Sequence, residues 1–99
     1  MSMQAGLPPV LWRAARMLHS AYPGGIPETA YVAVLVLLYE YFSDRNLTEL
    51  MAAVTGKDAA QILNDIYACA GSKPEPSAID AARQRLERYG LQAVCAEDA

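Results

Sequence analysis

Ten apolar residues in a row, Ala30 to Tyr39, form the hydrophobic peak of this 99-residue chain. One charge, Glu40, follows, and then Tyr41 and Phe42. A segment apolar on most sides must be buried on most sides, so the remaining chain is expected to wrap around it. Val32, Val34, Val36 and Tyr31 favour strand, but the fifteen residues of 28–42 are long for a strand, whose usual length is about 5–6. The reading is therefore a central helix over roughly 28–42, with Glu28 and Glu40 at its polar ends.

The flanking segments carry helical periodicity. Leu11, Ala14, Ala15 and Leu18 fit the i, i+3, i+4, i+7 template and place a first helix at about Pro9 to Ala21. Pro9 suits its first turn, and Trp12 falls at the edge of the stripe with its indole N–H partly wet. Tyr22-Pro23-Gly24-Gly25-Ile26-Pro27 cannot continue that helix. Pro23-Gly24 fits the middle of a type II turn, which puts positive φ at Gly24. A third helix is expected at about Asp44 to Val54, capped by Ser43 or, alternatively, by Asn46 with Glu49 three residues on, with Leu47, Leu50, Met51 and Val54 inward and Gly56 at its end. A fourth runs from about Ala59 to Ala70, with Asp58 and Gln61 as a capping box and Ala59, Ile62, Leu63, Ile66 and Ala70 as its stripe. Gly71 is placed as the residue just past its end. After a proline-rich loop at 72–76, Ser77 is expected to cap a fifth helix with Ile79, Ala82, Leu86 and Tyr89 inward, an Arg83–Glu87 pair, and Gly90 as its stop. Residues 91–94 should fold back on the core.

This pattern defines an all-α, compact bundle of about five helices around a buried central helix. Residues 1–8 are expected to be a flexible N-terminal segment, 9–94 a single helical domain and 95–99 a frayed tail. Hydrophobic content of 54% against 19% charge excludes the disordered class. A chain of this length buries roughly two thirds of its unfolded surface, enough for a core without staples.

Charge narrows the function classes. The net charge is −3. Arg13 and Arg16 are the only charged residues before Glu28, so the start of the chain is basic and the remainder acidic. An acidic total argues against a nucleic-acid partner held by phosphate contacts. Cys69 and Cys95 are too few for a disulfide framework or a tetrahedral metal site, and fit reduced thiols. The apolar run falls short of the roughly 20 residues that cross a bilayer, and no export signal precedes it. A cytoplasmic protein with no membrane partner, no metal and no cofactor is the expectation.

Candidate chemistry is sparse. His19 is the one histidine and has no nucleophile–base set around it, so an exposed helical histidine is expected. Gly24-Gly25 at a helix entrance lacks a phosphate-loop pattern, and Pro27 removes an N–H donor there. Ala52, Gly56 and Ile62 stand at the small, turn and apolar positions of a helix–turn–helix across 48–66. Its second helix offers Asp58, Gln61, Asn64 and Asp65, and the only cation, Lys57, is in the turn, so it reads poorly as a DNA reader. Six tyrosines suit the rim of a core or a protein-binding surface. Trp12, Arg13, Arg16 and Tyr22 are the candidate interaction surface, with another protein as the partner. No catalytic residue is assigned, and a non-enzymatic interaction or accessory module is the leading expectation, with helix-turn-helix-like nucleic-acid binding the alternative.

Two motifs carry a resemblance. Tyr22-Pro23-Gly24-Gly25-Ile26-Pro27-Glu28-Thr29, followed by an apolar helix and then Phe42-Ser43-Asp44, resembles the signature of a small actinobacterial family catalogued as domain of unknown function 3349. The spacing of Arg83, Arg85, Leu86 and Gly90 is similar to that family's C-terminal ending, although Leu91 stands where an aromatic residue is usual. The resemblance implies an all-helical domain of roughly five helices and implies no activity, cofactor or catalytic residue.

Overall fold

The computed structural model describes residues 7–71 and 74–98. After a 3-10 turn at Pro9–Leu11 come α1 (Trp12–Ala21), α2 (Glu28–Tyr39), α3 (Asp44–Thr55), α4 (Ala59–Gly71), α5 (Pro76–Glu87) and α6 (Leu91–Asp98). The described residues are all-α, with six helices against the five expected. The sixth stands where a fold-back and a tail were anticipated. Gly90, at φ 98°, breaks α5 from α6, and Val94 N–H donates to the Gly90 carbonyl at 2.9 Å, which starts the new helix. A non-glycine residue would strain at that φ. Leu91 and Val94 are buried, so the fold-back itself occurs as a helix. Residues 1–6 of the expected flexible segment, residues 72 and 73 of the expected loop, and the last residue of the expected tail lie outside the described residues.

The centre of the bundle is α2. Its buried residues, Tyr31, Ala33, Val34, Leu35, Leu37 and Leu38, point to most sides of the helix. Beyond its first turn, where Glu28 and Thr29 are exposed, the Val32–Val36–Tyr39 line, spaced i, i+4, i+7, opens outward. α5 covers α2 most extensively, and α4 and α3 close two further sides. α1 packs instead on α3, α5 and α6. Its Ala14, Ala15 and Leu18 are fully buried, so a second buried layer exists beside the central helix. Alanine at two of those positions keeps the α1 backbone close to its neighbours.

The helix ends differ from expectation in ways that local chemistry explains. α2 stops at Tyr39, three residues early. Tyr41 and Phe42 N–H both donate to the Leu38 carbonyl, and the chain then turns extended at Ser43. Phe42 is thereby tucked into the core while Tyr41 stays exposed. Ser43 does cap α3, its Oγ accepting the Asn46 N–H at 3.1 Å. Asp58 caps α4 by accepting the Ala60 N–H at 3.1 Å. Gly56 closes α3 in the left-handed conformation at φ 77°. In the turn before α2, Gly25 N–H donates to the Tyr22 carbonyl at 2.9 Å, and positive φ falls on Gly25 and not on Gly24. That excludes type II and fits a type I turn, with proline at its second position and glycine at its fourth.

The other corrections concern the last two long helices. α4 retains Gly71 as a helical residue, Ala59 is exposed and Leu63 half-buried, and Cys69 takes an inward position; the Ala70 side chain lies outside the described residues. α5 begins at Pro76 with Glu75 at the cap position, because proline presets φ for a first helical turn; Ser77 is not the cap. Arg83 pairs with Asp80 at 3.2 Å and with Glu40 at 4.0 Å, not with Glu87. Because α5 ends at Glu87, Tyr89 falls out of helical phase and its ring is exposed.

Among the described residues no helix is long and apolar enough to cross a membrane. Leu35 is the sharpest probe of the core, since it is 1% exposed on the most enclosed helix. Leu35→Ala is expected to cost about 2–5 kcal/mol in chemical denaturation. A loss under about half a kcal/mol would place this face at the surface.

Candidate functional site

Two tyrosines flank the start of α2, and each lies under a cation from another part of the chain. Tyr22 ends the first helix and is buried. The Arg85 guanidinium of α5 sits 4.6 Å from the centre of its ring. Arg85 Nε also donates to the Ala21 carbonyl at 2.7 Å. One side chain thus terminates α1, stacks on the turn and anchors α5. A cation suits that position, since the last carbonyls of a helix carry partial negative charge.

On the other side of α2, Tyr31 is buried and its hydroxyl donates to Asp65 Oδ2 of α4 at 2.8 Å. Lys57, in the turn between α3 and α4, places Nζ 4.8 Å from the Tyr31 ring centre and 3.1 Å from Glu28 Oε2. Glu28 in turn stands in the first turn of α2, where its charge favours the helix dipole. Burial raises the Tyr31 phenol well above its ordinary value, and the bond to Asp65 and the charges around it raise it further. Cys69 borders the same cluster. Burial first and the Asp65 charge second raise its thiol, which leaves it a weak nucleophile. These residues line a hollow of about 320 Å3 whose charged groups are already satisfied by one another.

This cluster bears on the helix–turn–helix alternative. Lys57 is the only cation of the 48–66 pair, and it is held by Glu28 and the Tyr31 ring. It is therefore tied into the α2–α4 packing and does not project toward a phosphate.

The four residues expected to form an interaction surface do not come together as one set. Tyr22 lines a hollow of about 460 Å3 between α2 and α5, floored by Ala30, Ala33, Ala78 and Ala82. Arg13 and Arg16 border a different depression of about 260 Å3, with Met17 and Ser20 of α1 and with Tyr89, Gly90, Ala93 and Val94 of the α5–α6 corner. Trp12 lies one turn before Arg16 on the same exposed side and is 42% exposed. Its indole N–H donates to the Leu7 carbonyl at 3.0 Å, so the ring is held in place. Tyr89, 48% exposed, belongs to this corner and was missed by the sequence reading, which set it in the core stripe. The glycine after it was the signal that the helix had already ended. His19 is an exposed helical residue, as expected.

Tyr39 and Tyr67 make a second exposed aromatic pair near the start of α3. The Tyr39 phenol is raised by its bond to Asp44 and, less, by Tyr67. Among the described residues no group of three His, Cys, Asp or Glu side chains is arranged to hold a metal ion.

The architecture is that of a small helical bundle whose signature residues are bound into its packing. Residues 9–94 match the family described as Protein of unknown function (DUF3349), and the chain belongs to it. No curated protein and no solved structure matches the chain. Both motifs that carried the resemblance meet at one point, because Tyr22 of the turn and Arg85 of the C-terminal ending stack on each other.

Two outcomes test these contacts. Arg85→Ala is expected to lower stability by about 1–2 kcal/mol, since a charged hydrogen bond and a ring stack are lost at a partly exposed site. Arg85→Lys should recover less than half of that, because an ammonium lacks the planar fork that bonds and stacks at once. Full recovery by lysine would mean that charge alone matters there.

Tyr31→Phe should cost about 1–2 kcal/mol at neutral pH by leaving Asp65 without its donor. The phenol's value is raised in the folded state, so its contribution is complete below the unfolded value of about 10 and is lost as pH rises above it. The stability difference between wild type and Tyr31→Phe should therefore shrink above about pH 10 in denaturant titrations. A difference that grows with alkaline pH would contradict the Tyr31–Asp65 bond.

Proposed function

We propose that this chain is a non-enzymatic helical module of the cytoplasm that works by binding another protein. The observation that carries the reading is the concentration of Trp12, Arg13, Arg16 and Tyr89 at one exposed edge of α1 and the α5–α6 corner. Tryptophan, tyrosine and arginine are the residue types enriched among those that dominate binding energy at interfaces. Trp12 is pinned by its bond to Leu7, which lowers the entropy lost when a partner covers it.

The non-enzymatic reading draws on where the titratable groups are engaged. Asp58 caps a helix, and Glu28, Lys57, Asp65, Arg83 and Arg85 each join two elements of the fold. Groups held in structural bonds are poorly placed to exchange protons with a substrate. A buried Cys69 whose thiol is held in its protonated form is compatible with a reducing compartment. The nucleic-acid alternative has less support, because Lys57 is engaged within the fold.

Affinity capture of the tagged protein from its native cells tests the proposal. One protein should be retained in stoichiometric amount, and limited cross-linking should join it to α1 or the α5–α6 corner. Absence of any stoichiometric partner, together with salt-sensitive retention of duplex DNA, would replace this reading with the nucleic-acid one.

A further inference from the structure

The hollow between α2 and α5 shares no residue with the Trp12–Arg16–Tyr89 edge that carries the interaction reading. We propose that this hollow binds a small organic oxyanion, a carboxylate or a phosphate monoester, whose charged group meets Arg85, Arg88 and the hydroxyl of Tyr22. The site goes beyond the interaction reading and does not depend on it.

The Tyr22 hydroxyl is the first observation. Tyr22 is 6% exposed, so nearly all of the residue is out of water. Its hydroxyl nevertheless has no hydrogen-bond partner among the described residues. It is not sealed in either, because Thr48 Oγ1 is the one side-chain polar atom among them that is both fully covered and unpartnered. The Tyr22 hydroxyl therefore opens into the hollow that the residue lines. A buried tyrosine usually finds a partner for its hydroxyl, as Tyr31 does with Asp65. At Tyr22 the fold supplies none.

Charge is the second. Arg85 and Arg88 line the hollow one turn apart on the same stretch of chain, and no carboxylate lines it. Glu28 is held by Lys57 on the other side of α2, and Glu40 and Asp80 hold Arg83. Glu75 and Glu87 stand outside the hollow. Burial raises the Tyr22 phenol above its ordinary value and the Arg85 charge opposes that, so the positive field reaches the hydroxyl. Arg85 uses Nε for the Ala21 carbonyl, which leaves its amino groups for another acceptor. The Arg88 guanidinium has no ion pair and no hydrogen bond among the described residues. Like charges one helical turn apart repel, and an anion between them replaces that repulsion with two attractions. Guanidinium groups bind carboxylate and phosphate through paired N–H···O bonds, so an oxyanion is the class selected.

Size is the third. The hollow encloses about 460 Å3, within the roughly 300–1,000 Å3 of small-molecule sites, so there is room for an organic body besides the charged group. Ala30, Ala78 and Ala81 line it and none of the three is buried, which leaves apolar surface for that body to cover. Arg85 is already fixed by its bond to Ala21 and its stack on Tyr22, so little ordering of that cation is needed on binding. The hollow at Tyr31 lacks this combination, because its lysine and its carboxylates are bonded within the fold.

Phenyl phosphate, phenylacetate and benzylammonium, titrated separately into the isotope-labelled full chain, test the site by amide chemical shifts. Both anions should move the amides of Thr29, Ala30, Ala81 and Arg88 and saturate, and benzylammonium should not. The tighter of the two anions names the acid group, and either order supports the site. Arg88→Ala, at an exposed position, should weaken binding about tenfold or more through the loss of a charged hydrogen bond. Arg45→Ala, at an exposed position of α3, should leave the affinity unchanged. Tyr22→Phe should weaken binding about threefold or more and leave the denaturation midpoint where it is, because no group of the fold loses a bond. Ala81→Leu, which fills the hollow from an exposed position without changing its charge, should block both anions. No shifts at the hollow with either anion, an equal response to benzylammonium, or equal losses from Arg88→Ala and Arg45→Ala would overturn the site. A clear loss of stability in Tyr22→Phe would also overturn it, by showing the hydroxyl bonded within the fold. Capture of a native partner by the Arg88→Ala variant would leave the interaction reading standing even where the anion site fails.

Discussion

Between Ala30 and Tyr39 no residue carries a charge, so α2 has no face that water strongly favours. A helix of that kind cannot lie on a surface and has to be enclosed. Three helices, α3, α4 and α5, meet this demand. The line left open is Val32, Val36 and Tyr39, where a phenol with its hydroxyl at the water boundary ends the exposed side. Enclosure alone does not set where along α2 each neighbour sits, because leucine and valine surfaces are nearly uniform. Hydrophobic burial has no direction, and some directional contact must fix the register.

Two ring–cation contacts provide that direction, one on each side of the entry to α2. Tyr22 and Tyr31 lie nine positions apart in sequence, one before the Pro27 start and one after it. Arg85 reaches Tyr22 from α5, and Lys57 reaches Tyr31 from the α3–α4 turn. Such contacts contribute about 0.5–2 kcal/mol each, small beside the burial of a dozen large side chains. Their weight lies in geometry. Arg85 must stack on a ring and bond the Ala21 carbonyl at once, and only one placement of α5 allows both. Tyr31 must receive Lys57 on its face while its hydroxyl meets Asp65, and this sets α4 against α2. The family's two motifs are explained in the same terms, since the turn and the Arg85 segment are two halves of one contact.

Much of this was legible in the chain. Of the expected α3 stripe Leu47, Leu50 and Met51 are buried and Val54 is half-buried, and Ser43 and Gly56 mark the ends of α3 as their chemistry requires. Ends governed by more than one local preference were harder to place. At Ser77 the capping preference competed with Pro76, and the fixed φ of proline won. At Gly24 and Gly25 either residue could take positive φ; it falls on Gly25, and the Gly25–Tyr22 hydrogen bond, common to type I and type II turns, does not distinguish the two. Arg83 could reach Glu87 by helical spacing, but Asp80 and the distant Glu40 were nearer in space. The candidate surface was legible in part. Arg13 and Arg16 stood out by charge, whereas Tyr22 was buried by a cation 63 positions further along, which no local pattern encodes.

The α5–α6 corner shows how an exposed aromatic ring can arise from packing demands alone. The core needs Leu91 and Val94 beneath α1, and a continuous α5 would carry them away from it. A break at Gly90 solves the packing problem, and it also releases Tyr89 from the helix phase that would have buried its ring. The exposed aromatic is therefore a consequence of where the core requires the chain to turn. The core thus determines that an aromatic ring stands exposed at this corner, beside Arg13 and Arg16 of α1.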